Sequence, residues 1–205
     1  SSDLKGELAL TQETDYPWEG KVRVTLDRVP RKAGTFSLFL RIPEWCEKAT
    51  LRVNGQPLQT NAKANSYAEV NRTWKKGDVV ELVMDMPVRL LEAHPLAEEI
   101  RNQVVVKRGP LVYCLEQADN GEELHNLWLP ENAPFTVLEG KGIFAHKVIL
   151  QAPGYKQTAE DAGQQALWHY DRAPTTRQPQ TLTFIPWFSW ANRGEGEMRI
   201  WVDEV

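Results

Sequence analysis

Cysteine is nearly missing from this chain: Cys46 and Cys114 are the only two in 205 residues, 68 positions apart. That excludes a CxxC metal knuckle and a disulfide-dense scaffold, and it favours two buried free thiols over a single bridge. Long apolar runs are also absent. Nothing approaches the roughly 18 residues needed to span a bilayer as a helix, and the opening Ser-Ser-Asp-Leu-Lys lacks the layout of a signal peptide, so the start reads as cut from something longer. No charge of one sign dominates. With 24 basic and 28 acidic residues interspersed, and a net charge of -4, there is no electrostatic footprint for a phosphate backbone, and nucleic acid is not an expected partner.

What the chain does carry is aromatic weight. Tryptophan occurs eight times, while the hydrophobic share of 41% and the charged share of 25% are ordinary for a globular protein. A chain of this length buries roughly 70% of the surface its extended form exposes, enough for a core without staples. Three of the tryptophans fall between Leu182 and Val202, in a stretch that reads as an aromatic strand, a glycine turn and a second strand.

Period two dominates the pattern from residue 5 to residue 116. Val22, Val24 and Leu26 alternate with Arg23, Thr25 and Asp27, and Phe36, Leu38, Leu40 and Ile42 continue the alternation until Pro43 removes a ladder donor. Leu51 and Val53 lead into Asn54-Gly55, which suits a type I′ hairpin. Strands are expected at Tyr67–Asn71 and Val79–Met84, with Trp74-Lys75-Lys76-Gly77-Asp78 turning between them. Residues 93 to 102 break the pattern and mark the expected domain boundary. Beyond it, Val104–Lys107 and Leu111–Glu116 flank Arg108-Gly109-Pro110, and the second of these runs is apolar on both faces, as in a central strand. In the stretch from Leu124 to Gln180, Phe135–Leu138 and Phe144–Leu150 read as strands, and Thr158–Trp168 is open to helix or loop. Leu182–Trp190 and Met198–Val202 read as a closing hairpin around Gly194-Glu195-Gly196. The resulting expectation is an all-β chain of two antiparallel β-sandwiches, jelly-roll-like and in tandem, spanning residues 1–100 and 101–205.

Catalytic chemistry finds little footing in this pattern. Glu44 and Glu47 flank Cys46 and disfavour a thiolate, and Cys114 lies inside a strand between Tyr113 and Leu115. His94, His125, His146 and His169 show no HxH or HxxxH spacing, so no metal site is expected, and Asp119-Asn120-Gly121-Glu122-Glu123 reads as a solvated turn rather than a calcium loop. No carboxylate pair stands out for glycoside hydrolysis, and no catalytic residue is assigned. Sugar binding is the better candidate, because Trp45, Trp187, Phe188 and Trp190 offer ring faces that can stack on a sugar. Period two puts Ile185, Trp187 and Ser189 on one side of their strand and Pro186, Phe188 and Trp190 on the other, so one set is expected in the core. Arg193 follows at the turn, with local hydrogen bonding or a longer reach both open to it.

Five blocks stand in a fixed order: Leu40-Arg41-Ile42-Pro43-Glu44-Trp45, Val53-Asn54-Gly55, Trp74-Lys75-Lys76-Gly77-Asp78, Arg108-Gly109-Pro110-Leu111-Val112-Tyr113 and Trp190-Ala191-Asn192-Arg193-Gly194. In these the chain resembles the C-terminal region of glycoside hydrolase family 127, the β-L-arabinofuranosidase-like proteins. The resemblance implies an N-terminal (α/α)6 catalytic barrel, not present in this chain, that holds a zinc-bound cysteine nucleophile and its glutamate. It implies a non-catalytic double sandwich here, with no cofactor of its own. The implied partner is the barrel of the same polypeptide, which Trp45, Trp187, Phe188, Trp190 and Arg193 would face if they do not bind carbohydrate. Recognition of arabinose-containing glycans is the alternative, and self-association through an uncovered barrel-facing surface is a further expectation.

Overall fold

Residues 6–31, 33–60, 62–159 and 175–205 are described by a computed structural model. Among the described residues sixteen strands carry nearly all of the regular structure, and the contacts divide the chain into two units, one ending at Pro87 and the other starting at Val88. The boundary therefore falls before the expected 100/101 position. The reason is the pairing of Val88–Glu92 with the strand at Gln103–Arg108, which ties the connector between them to the second unit.

The first unit contains β1 (Ala9–Thr14), β2 (Lys21–Arg28), β3 (Thr35–Ile42), β4 (Ala49–Val53), β5 (Gln56–Leu58), β6 (Ser66–Thr73) and β7 (Val79–Met84). Five of them form an antiparallel sheet in the order β1-β2-β7-β4-β5, and β3 pairs with β6 in a separate two-stranded sheet. Leu26, Leu51, Val80 and Leu82 from the larger sheet meet Ile42, Ala68 and Val70 from the smaller one, with Cys46 and Trp74 in the same core. Strict alternation puts every second residue of each strand into this layer. The β4–β5 hairpin turns at Asn54 and Gly55, both at positive φ (51° and 77°), which a type I′ turn requires.

Side-chain clamps fix the turns of this unit. Asn54 Nδ2 donates to Asp78 Oδ1 at 2.9 Å, and Val79 N donates to Asn54 Oδ1 at 2.8 Å. Lys75 N donates to Asp78 Oδ2 at 2.9 Å, closing the Trp74–Asp78 turn on itself. Burial pushes the Asp78 carboxyl up, but the hydrogen bonds from Asn54 and Lys75 outweigh it and hold the group below its ordinary value.

The second unit contains β8 (Val88–Glu92), β9 (Gln103–Arg108), β10 (Leu111–Glu116), the short helix α1 (Gln117–Asn120), β11 (Leu127–Leu129), β12 (Thr136–Glu139), β13 (Val148–Ala159), β14 (Thr175–Pro186), β15 (Met198–Arg199) and β16 (Trp201–Glu204). Following the pairings from β10 through β14, β13, β11, β16 and β9 leads back to β10, so one sheet closes into a barrel. The faces expected of a second sandwich thus belong to a single closed sheet, and one pairing in it, β11 with β16, is parallel. Closure removes the free edges that an open sheet would leave. Tyr113, Leu115, Leu150, Leu182, Phe184 and Val202 fill the interior. Cys114 and Ile185 point the other way and pack with Phe144, so β10 is buried on both faces.

Three local expectations are corrected. Leu182–Trp190 and Met198–Val202 do not pair as a hairpin: β14 and β15 both pair with β10, and β16 pairs with β9 and β11. Strand structure begins at Val148 rather than at Phe144, because Gly142–Phe144 forms a 3-10 turn and His146 takes positive φ. Leu127–Leu129 is a strand that the sequence pattern did not show. Of the Thr158–Trp168 segment, Thr158 and Ala159 end β13 and the rest lies outside the described residues, as does His169.

Candidate functional site

Pro186 ends β14 by withdrawing a ladder donor, and the chain curls into a 3-10 turn at Trp187–Ser189, closed by Trp190 N donating to Trp187 O at 3.0 Å. The turn breaks the period-two alternation expected here. Trp187, Phe188 and Trp190 are 50%, 58% and 42% exposed, whereas the small Ser189 between them is buried. The core does not take one set of these rings, and all three stand at the surface.

The turn is held from below by a charge cluster. Arg193 Nε donates to Glu116 Oε2 at 3.0 Å and Nη1 to Asp119 Oδ1 at 2.7 Å, while Nη2 donates to both carboxylates. The other Glu116 oxygen accepts from Ala191 N at 3.0 Å. Ala191 itself takes positive φ, and Asn192 Nδ2 donates to Ser189 O at 3.0 Å. Beneath them the Arg193 guanidinium lies 4.8 Å from the centre of the Phe144 ring. Lys147 Nζ sits 5.7 Å from the centre of the Phe144 ring and 5.9 Å from that of Phe188.

Glu116 is only 3% exposed, so its charge must be matched where it lies. The hydrogen bonds that Arg193 donates to Asp119 raise its guanidinium further above its already high value; burial opposes this and the bonds donated to Glu116 add to it. The arginine is consumed in this cluster. Two positions before Glu116 in the same strand, burial pushes the Cys114 thiol up to about 12, helped by the Glu116 and Asp119 carboxylates. A thiol so placed is held protonated, the reverse of what an activated nucleophile needs.

The residues proposed from sequence are divided between the two units. Trp187, Phe188, Trp190 and Arg193 lie together in the second unit. Trp45 belongs to the first, where its ring stacks on Tyr16 with centroids 6.3 Å apart. Cys46 is buried there, its Sγ donating to Lys48 O at 3.2 Å. Sequence reasoning missed Glu116, Asp119, Phe144 and Lys147. The usable signal was Glu116 itself, a carboxylate closing an otherwise apolar strand. Asp119 and Asn120 are no solvated turn either, since Asn120 is buried and bonds Glu116 O, Thr183 O and Thr183 N.

Among the described residues no three His, Cys, Asp or Glu side chains gather where a metal could be held. The zinc implied by the family resemblance belongs to the barrel outside this chain.

Comparison with known proteins accounts for nearly the whole chain. Residues 1–86 match the middle-domain model of beta-L-arabinofuranosidase family GH127, and residues 88–203 match the model of the glycoside hydrolase family 127 C-terminal domain. The chain is 32% identical to a non-reducing end beta-L-arabinofuranosidase of Bifidobacterium longum subsp. longum, over 98% of this chain but only 31% of that protein. Among solved structures, a glycoside hydrolase is 58% identical with a TM-score of 0.85, covering 98% of this chain and 33% of that one. A GH127 beta-L-arabinofuranosidase from Geobacillus stearothermophilus T6 is 38% identical with a TM-score of 0.85, covering 97% and 31%. The chain spans about a third of the length of the relatives it matches, and with both of its units matched in order it belongs to glycoside hydrolase family 127.

Proposed function

We propose that this chain is the non-catalytic β portion of an arabinofuranosidase-type glycoside hydrolase, and that it braces the catalytic barrel carried by the rest of the polypeptide. The observation that carries this reading is the aromatic turn of the second unit. Its three rings are held outward by an ion cluster built on the buried Glu116, in which the neighbouring Arg193 is engaged by two carboxylates, so the turn is a braced apolar projection. A rigid apolar projection is suited to docking against another body, where aromatic rings supply large area at low entropic cost. Relatives three times as long provide such a body in the same polypeptide.

The purified chain is expected to release no arabinose from β-L-arabinofuranosides. Turnover that a point substitution within this chain abolishes would overturn the reading. Half-exposed indoles also support a second reading, in which Trp187, Phe188 and Trp190 stack on arabinose-containing glycans. Calorimetry against a panel of such polymers separates the two: heats lost on Trp187→Ala and Trp190→Ala favour sugar binding, and a flat titration leaves the bracing role.

A further inference from the structure

Among the described residues the sandwich of the first unit is unequally built, with five strands in one sheet and two in the other. At roughly 4.8 Å per strand, β3 and β6 cover less than half the width of the sheet they face. Beside them runs a groove of about 770 Å³. From the smaller sheet it is lined by Leu38, Phe39, Leu40 and Arg41 of β3 and by nothing of β6. Successive residues of a strand point to opposite faces, so a groove touching all four must run along the outer edge of β3 rather than over one face. Its floor is apolar, formed by Val22, Val24, Val80 and Leu82 of β2 and β7, and β1 closes its far side with Leu10 and Gln12.

That edge has no strand beside it among the described residues. Among the described residues β3 pairs only with β6, so about half of its eight residues turn backbone N–H and C=O groups outward. Natural sheets blunt a long edge with charge, proline or a bulge. Here Phe39 stands on the edge strand at 62% exposure and Leu10 across the groove at 45%, and β3–β6 is paired without a bulge over its full length.

We propose that the groove receives an extended segment as a third strand beside β3, its backbone continuing the ladder and its alternate side chains covering the floor. The occupant is a stretch of the same polypeptide outside this chain, so the inference rests on the bracing role proposed above. Two considerations select it. The relatives carry about two thirds of their length outside the region this chain matches. A tethered strand also competes at an effective concentration near the millimolar range, which a free peptide does not reach.

Amide hydrogen exchange, read by mass spectrometry on the 205-residue chain and on the full-length polypeptide that carries it, tests the proposal. In the shorter chain about half of the amides of Thr35–Ile42 exchange fast; in the full-length polypeptide these slow by at least a hundredfold. Leu10→Glu in the full-length polypeptide, which charges the groove wall, speeds them again by tenfold or more. Equally fast exchange in both proteins overturns the proposal. Slow exchange in both also overturns it, and dependence on concentration in the shorter chain would identify a second copy as the occupant. Protection over Trp187–Arg193 is read in the same spectra and reports on the aromatic turn independently, so failure of either idea is seen separately.

Discussion

At the scale of single residues, Arg193 is the group on which most depends. It serves two carboxylates, one of them buried, and stacks on Phe144, which only a planar forked cation can do at once. Arg193→Lys keeps the charge but loses the fork, leaving Glu116 incompletely matched at 3% exposure. The expected cost is about 2 to 3 kcal/mol, read as a lower urea midpoint with unchanged slope. Arg193→Ala should cost more, since it strands a buried charge; a variant as stable as the parent would show that the cluster does not hold the turn. The sequence named Arg193 but not its partners, because Glu116 lies 77 positions away and nothing local marks them as neighbours.

Elements, in this protein, are fixed at their turns. Of the five blocks that carry the family resemblance, three are the clamps of turns. Val53-Asn54-Gly55 and Trp74–Asp78 meet through the bonds between Asn54 and Asp78, and Trp190–Gly194 is pinned by Glu116. Asp78→Asn keeps the shape but weakens two charge-assisted bonds, and about 1 to 2 kcal/mol should be lost at neutral pH. The pH dependence has a definite sign. The folded carboxyl is held below its unfolded value of 3.8, so its contribution is present above that pH and disappears as pH falls through the folded value. Urea midpoints measured between pH 7 and pH 2.5 should therefore converge for parent and variant at the acid end. A constant gap would show that the charge of Asp78 does not matter. The alternation of β2, β3 and β7 was readable in advance because each has one face on a core and one on solvent. The 3-10 turn at Trp187–Ser189 was not, because the aromatic run before it continues the strand pattern past the proline.

For the whole molecule the question is what its apolar surfaces cover. Three half-exposed rings present roughly 300 Å², well below the ~800 Å² per partner of a stable interface. The isolated chain should therefore associate only weakly, with dimer appearing in sedimentation velocity above about 100 µM and vanishing in a Trp187→Ser, Phe188→Ser, Trp190→Ser variant. A monomer at all concentrations would count against an apolar docking face. The same small area suffices for bracing within one polypeptide, because a tether replaces most of the association cost. The sequence by itself determined the β class, the tandem arrangement and the family, since periodicity, composition and turn chemistry are local or additive. Only the tertiary structure decided that the second unit closes through β9 and β10, that the aromatics of the 187–190 turn face outward, and that β3 borders an open groove. Those outcomes depend on which distant strands pair, and a pairing of strands leaves no mark on either strand alone.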